Sequence, residues 1–278
     1  MPDRDLDITK FSYFSYRKLK KALGEFDAVV ECNEIAIREF VEKAEGKHSK
    51  KYIEQLSLKH KVKVNEVDFI KFASRIRQYY VSSVFQQSEQ FLKDFKSEWK
   101  KYFPEKEWVE RVKSETALQN TLKNILLDLP SDLQEFYEYY RLIRNYMSHT
   151  DRDLADIEKR HDKILTNSNK FLRDFHLSNL PNRLDEIDFS DFLIITNIVK
   201  HIAYLISKRA KPSNSEIAAI LLELSKENKG RAFKGLTKLK NDNERFQVAI
   251  KSFTITSFGR FSSSDLNDIS KKFESLLA

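Results

Sequence analysis

From Val67 onward, apolar residues recur at helical spacing. Ile70, Ala73, Ile76, Tyr80, Val84, Phe91, Phe95 and Trp99 form one stripe, the period of a helix with one buried side. Some thirty residues at this spacing predict a helix of about 45 Å. Gln87 and Ser88 interrupt the stripe, and Pro104 ends it. A shorter helix with Val112, Leu118, Leu122, Ile125 and Leu126 follows. Next comes "LPSDLQEFYEYYRLIRNYMSH". Ser131 and Gln134 stand at capping-box spacing and mark the start of a helix. Its apolar side holds Leu133, Phe136, Tyr137, Tyr140, Ile143 and Met147. Thr150, Asp151 and Asp153 are cap candidates for a further helix, which carries Leu154, Ile157, Ile164, Leu165, Phe171, Leu172 and Phe175. After a connector, another helix is expected from Asp191 to about Lys208, with Ile195, Ile198, Val199, Ile202 and Ile206.

The flanks are less regular. Before residue 60 the pattern predicts two or three short helices. Phe11, Phe14 and Leu19 start one, and Ala28, Val29, Ile35 and Phe40 mark another. Lys47, Lys50, Lys51, Lys59, Lys61 and Lys63 form a basic stretch that suits a solvated connector. "KPSNSE" at 211–216 reads as a boundary, with Ser213 and Glu216 again at capping-box spacing. Beyond it, "FTITSFGRF" is open between a short strand and a hairpin. The expected organisation is therefore an N-terminal helical extension at 1–65, a helical bundle at 66–210 and a small, mainly helical unit at 211–278. The fold class is all-α.

Composition sharpens this picture at a few points. Five glycines and five prolines in 278 residues argue against a turn-rich β architecture. The 49 Lys and Arg against 42 Asp and Glu give a net charge of +7, compatible with a polyanionic partner. A single cysteine, Cys32, leaves no intramolecular disulfide. The N-terminus shows no apolar signal-like run. The apolar run "FLIITNIVKHIAYLI" carries Asn197, Lys200 and His201 and reads as too short and too polar to span a bilayer. These features point to a cytoplasmic setting and no membrane partner.

The candidate chemistry sits at "RLIRNYMSH". Arg144 falls on the apolar side of its helix or at the edge of that side, Asn145 follows it, and His149 comes where the pattern stops. An arginine can snorkel from such a side, and a histidine near a helix end often caps it. The same three residues suit RNA cleavage without metal. Histidine takes or gives a proton near neutral pH. Arginine offers a fixed fork of donors to phosphate oxygens, and asparagine orients either by hydrogen bonds. A five-residue step turns about 140° on an ideal helix, so Arg144 and His149 converge only if the helix ends near Ser148 or the arginine reaches round. Glu138 and Arg141 are secondary candidates. Tyr140 and Tyr146 are candidates for stacking on bases, with core packing the more ordinary account of them. No metal-ligand cluster, P-loop or nucleophile elbow is present in the sequence.

Residues 67–208, with "RNYMSH" in their midst, resemble a HEPN domain. Ribonucleases of that superfamily carry an arginine, a polar residue directly after it, and a histidine four to six residues further on. The resemblance covers about half the chain and rests on a short motif. It implies a four- or five-helix bundle and a metal-independent endoribonuclease with no cofactor, in a toxin or antiviral-defence role. Its products would carry 2′,3′-cyclic phosphate and 5′-hydroxyl ends. It also implies a homodimer whose two motifs share one cleft, tRNA, mRNA or other RNA as substrate, and an antitoxin or other regulatory protein as a further partner. HEPN toxins silenced by nucleotidyl transfer carry a tyrosine two residues after the histidine. Asp151 stands there, which favours restraint by direct binding. In the segment 226–240, Lys229, Arg231 and Lys234 are candidates for holding RNA. A non-catalytic helical module for binding or assembly is the alternative, although inactive HEPN domains tend to lose the arginine or the histidine that this chain keeps.

Overall fold

A computed structural model of the chain describes residues 10–44, 49–65, 68–148, 154–166, 173, 179–227, 236 and 242–277. The fold is all-α. The helices are α1 (Phe14–Ala44), α2 (Ser49–His60), α3 (Phe69–Tyr102), α4 (Ala117–Asn124), α5 (Ser131–Ser148), α6 (Ala155–Thr166), α7 (Phe189–Arg209), α8 (Asn214–Glu227), α9 (Asn243–Phe258) and α10 (Ser263–Leu277). A 3₁₀ turn covers Leu184–Glu186. The strands among the described residues are β1 (Lys10–Phe11) and β2 (Gly259–Arg260), paired antiparallel.

The largest departure from expectation is α1. A single helix of 31 residues starts where two short helices were expected. Its buried positions are Ser15, Leu19, Leu23, Val30, Glu34, Ile37 and Ala44, spaced by sums of three- and four-residue steps. Val29 and Ile35, which had suggested a second helix, are exposed. A carboxylate in the middle of the buried stripe hid the period. Gly24 has nothing near its missing side chain and weakens the helix by about 1 kcal/mol without breaking it.

The described residues gather into two compact units that are not linear segments. One draws on 1–18, 92–127 and 203–278, the other on 19–91 and 128–202. The division into 1–65, 66–210 and 211–278 does not coincide with them. A long helix can leave one core and enter the next without any break in its own pattern.

In the first unit, Tyr13 is fully buried and its O–H donates to the Ala210 carbonyl at 2.5 Å. Its ring stacks on Tyr102 and meets Phe95 edge-on. "FTITSFGRF" is neither a hairpin nor one strand. It is the end of α9, where Gly259 at φ 96° takes a positive-φ conformation that glycine adopts freely, its N–H still bonded to the Ile255 carbonyl. Gly259 and Arg260 then pair with Phe11 and Lys10. The box at the start of α8 forms as expected: Ser213 N donates to Glu216 Oε2 at 2.8 Å, and Glu216 N to Ser213 Oγ at 3.3 Å. Asn214 donates to Asp265 and Asp268 of α10.

In the second unit, Glu34 on the buried side of α1 meets Arg77 of α3 through two bonds of 2.6 and 3.1 Å, and Arg38 at 2.8 Å. α7 spans 21 residues and is long and apolar enough to cross a membrane. More than half of that stretch is buried, with Phe192, Ile195, Ile198 and Val199 turned into this unit's core.

The Glu34 pair yields the first prediction. Burial works to raise the Glu34 carboxyl, and the hydrogen bonds and charges of Arg77 and Arg38 outweigh it, so it sits below the ordinary 4.5. A carboxylate with a lowered folded value adds stability that is complete above the unfolded value and is lost as pH falls through the folded one. Urea unfolding of wild type should therefore weaken below pH 4.5 more steeply than that of Glu34→Gln. At neutral pH, Arg77→Ala should cost about 3 kcal/mol by stranding a buried charge. Arg38→Ala, at an exposed position, should cost less than about 1 kcal/mol.

Candidate functional site

α5 begins at Ser131, but the expected capping box is not made. Gln134 N donates to the Pro130 carbonyl at 3.2 Å, its side chain donates to the Leu129 carbonyl, and Ser131 Oγ turns to Asp132. Pro130, rather than Ser131, stands at the cap.

The side of α5 that carries Arg144 packs on α3 of the same unit. There the interruption at Gln87 and Ser88 has a structural use. Ser88 Oγ and the Tyr137 hydroxyl lie 3.1 Å apart. One residue on, Glu89 Oε2 receives Arg144 Nη2 at 2.6 Å. Arg144 Nη1 donates to Asn145 Oδ1 at 3.0 Å, and the guanidinium carbon lies 5.8 Å from the centre of the Phe85 ring. Ser82 Oγ meets Met147 Sδ at 3.3 Å. The side chains of Arg144 and Glu89 are 29% and 35% exposed, so the pair is held against α3 yet open to solvent. Asn145 is buried at 7% and oriented by the arginine.

His149 and the cap candidates Thr150, Asp151 and Asp153 lie outside the described residues, as do Lys229, Arg231 and Lys234. Arg144 and Asn145 are thus placed together, and no distance to His149 is defined. Glu138 and Arg141 pair with one another at 2.7 Å.

Tyr140 requires a correction. It has no exposed surface, and its O–H donates to Asp191 Oδ1 at 2.9 Å, so no face of its ring is open to a base. Burial and the neighbouring Asp191 carboxylate push the Tyr140 hydroxyl well above the ordinary 10. Tyr137 and Tyr139 are raised chiefly by burial as well. These tyrosines stay neutral. Tyr146 is half-buried and borders a cavity with Tyr139, Ile157 and His161.

The sequence reading missed Glu89 and Asp191. Asp191 is wholly buried in the first turn of α7. Besides Tyr140 it accepts from Asp188 N at 3.0 Å, Asn182 N at 3.0 Å and Asn182 Nδ2 at 2.8 Å. Burial pushes its carboxyl up to about 6, against the pull of these hydrogen bonds. The signal for it was present: Asp188 and Asp191 stand at the spacing of a reciprocal cap. Among the described residues no three His, Cys, Asp or Glu side chains gather as metal ligands.

No protein-family model matches the chain, and no curated protein or solved structure does either.

Two of the polar contacts made by α5 should differ sharply in weight. Asp191→Ala strands a buried tyrosine O–H and two backbone N–H groups and should cost about 3–5 kcal/mol in urea unfolding. Arg144→Ala and Glu89→Gln break a pair about one-third exposed. Each should cost no more than about 1 kcal/mol and leave a folded protein for functional assay.

Proposed function

We propose that the protein is a metal-independent endoribonuclease of HEPN type, with Arg144, Asn145 and His149 as its working residues. The observation that carries this reading is the state of Arg144. It is oriented by Glu89 and Asn145, it stays reachable from solvent, and two of its five N–H groups are used among the described residues. Such a guanidinium can grip a phosphodiester bidentately. His149 would take the proton of the 2′-hydroxyl, whose oxygen attacks the adjacent phosphorus. The bond to the 5′-oxygen breaks, leaving a 2′,3′-cyclic phosphate and a 5′-hydroxyl once that oxygen is protonated. Arg144 would hold the charge that builds on the phosphoryl oxygens. The attacking 2′-oxygen and the leaving 5′-oxygen lie on opposite sides of the phosphorus, and one histidine does not serve both in a single displacement, so the second proton is assigned to the motif of a second copy in a homodimer. The excess of basic residues favours a polyanionic substrate. A toxin or defence role in the cytoplasm, held in check by a directly binding partner protein, goes with this reading.

A second reading is supported by the same ion pair. Arg144 bonded to Glu89 over Phe85 is also what a purely structural arginine would do, and the bundle would then serve binding or assembly.

The test is cleavage of total RNA with chelator present. Wild type should cut. Arg144→Ala and His149→Ala should each lose at least about a hundredfold in rate while unfolding at nearly the wild-type urea concentration. No cleavage by a folded, dimeric wild type, or equal cleavage by all three proteins, would contradict the ribonuclease.

A further inference from the structure

One cavity beside α6 runs against the net charge of +7 that the chain carries. It measures about 290 Å³ and lies within the unit that holds α5. Tyr139 and Tyr146 of α5, with Leu154 and Ile157 at the start of α6, give it aromatic and aliphatic walls. Tyr139 and Ile157 are buried, Tyr146 is half-buried and Leu154 is exposed, so the cavity runs from a dry floor to an open mouth. Its volume is at the small end for ligand sites and suits a ligand of one ring or two.

Residues 183–185 close one side of it, and the chain just before them is tied down. His161 Nε2 lies 2.9 Å from the Pro181 carbonyl. The Tyr139 hydroxyl donates to the Asn182 carbonyl, and Asn182 donates to Asp191 through its backbone and its side chain. A wall fixed in advance spares a ligand the cost of ordering it.

The polar groups around the cavity favour a donor. Glu158 and Asp185 border it and are exposed. Arg183, the one Lys or Arg among its described neighbours, is engaged with Asp162 at 3.3 Å. His161 borders the cavity and is 4% exposed. The Pro181 carbonyl can only accept, so in the neutral ring Nε2 carries the proton and Nδ1 is left as an acceptor. That Nδ1 has no hydrogen-bond partner, and Asp162 Oδ1, 3.9 Å away, is too far to make one. Two carboxylates and an unfilled acceptor beside apolar walls call for a flat ring that carries positive charge and N–H groups. We infer that this cavity binds a small aromatic cation, its ring against Tyr146 and Ile157 and its N–H groups toward Glu158 and Asp185. The tyrosine face adds a cation–π attraction to the burial of the ring. The inference goes beyond the proposed ribonuclease and does not rest on it, since a phosphodiester would be repelled by these carboxylates.

The test compares two probes of nearly one shape and opposite charge. Benzamidine is a flat aromatic cation with a fork of N–H donors, and benzoate is its anionic counterpart. Amide chemical shifts of the full chain, titrated with each probe, report both affinity and place. Benzamidine should move residues of α5, α6 and 181–185, and should bind at least about tenfold tighter than benzoate. Tyr146→Ala should weaken benzamidine about tenfold. Glu158→Gln and Asp185→Asn, at exposed positions where the fold is untouched, should each weaken benzamidine about threefold and leave benzoate no weaker. No movement of these residues at about 10 mM benzamidine would overturn the inference. So would benzoate binding as tightly as benzamidine, or an affinity for benzamidine that is the same in wild type and all three variants.

Discussion

A carboxylate taken out of water must find donors on every side, and Asp191 sets this constraint for α5 and α7. Four donors meet it: the Tyr140 hydroxyl, two backbone amides and the Asn182 side chain. Only one placement of α5 against the start of α7 brings the Tyr140 hydroxyl to that carboxylate. The residue before it is fixed too, because the Tyr139 hydroxyl donates to the Asn182 carbonyl and its ring lies 5.6 Å from His161. Apolar packing alone would tolerate sliding or rotation of α5. A buried charge that loses its partners does not, since each loss costs kilocalories.

With α5 held this way, its next side meets α3 along a polar seam in an otherwise apolar contact. Ser82, Ser88 and Glu89 of α3 are set against Met147, Tyr137 and Arg144 of α5. The small serines admit the large side chains of α5, and the carboxylate at the edge sets the direction of the arginine. This seam lets Arg144 be ordered and solvent-reachable together. A guanidinium ordered before its ligand arrives loses less entropy on binding a phosphate than one that hangs free.

The α-helical class and the extent of α3 were legible in the sequence because they rest on local periodicity and on Pro104. So was the box at Ser213 and Glu216. The single long α1 was not, because Glu34 breaks the apolar stripe and is neutralised by Arg77, some forty residues away in sequence. The cap of α5 was misplaced for a local reason: Ser131 has the right chemistry, but Pro130 before it takes the cap position. Arg144 and Asn145 were found by their order in the chain. Glu89 and Asp191 were not, because each acquires its meaning only from a residue on another helix. Tyr140 was read as a stacking platform because its spacing fits an exposed edge as well as a core, and only the carboxylate beneath it decides between them.

The central claim is that a 2′-hydroxyl, placed by Arg144 and activated by His149, is the nucleophile. The most direct measurement takes an RNA that wild type cuts at a mapped bond and replaces the single nucleotide 5′ to that bond with its 2′-deoxy form. The account predicts that this bond is spared while neighbouring cuts persist, and that the unmodified RNA leaves 2′,3′-cyclic phosphate and 5′-hydroxyl ends. Undiminished cutting at the deoxy position, with 5′-phosphate ends, would mean that water or another nucleophile does the work and that Arg144 and His149 have been given the wrong role.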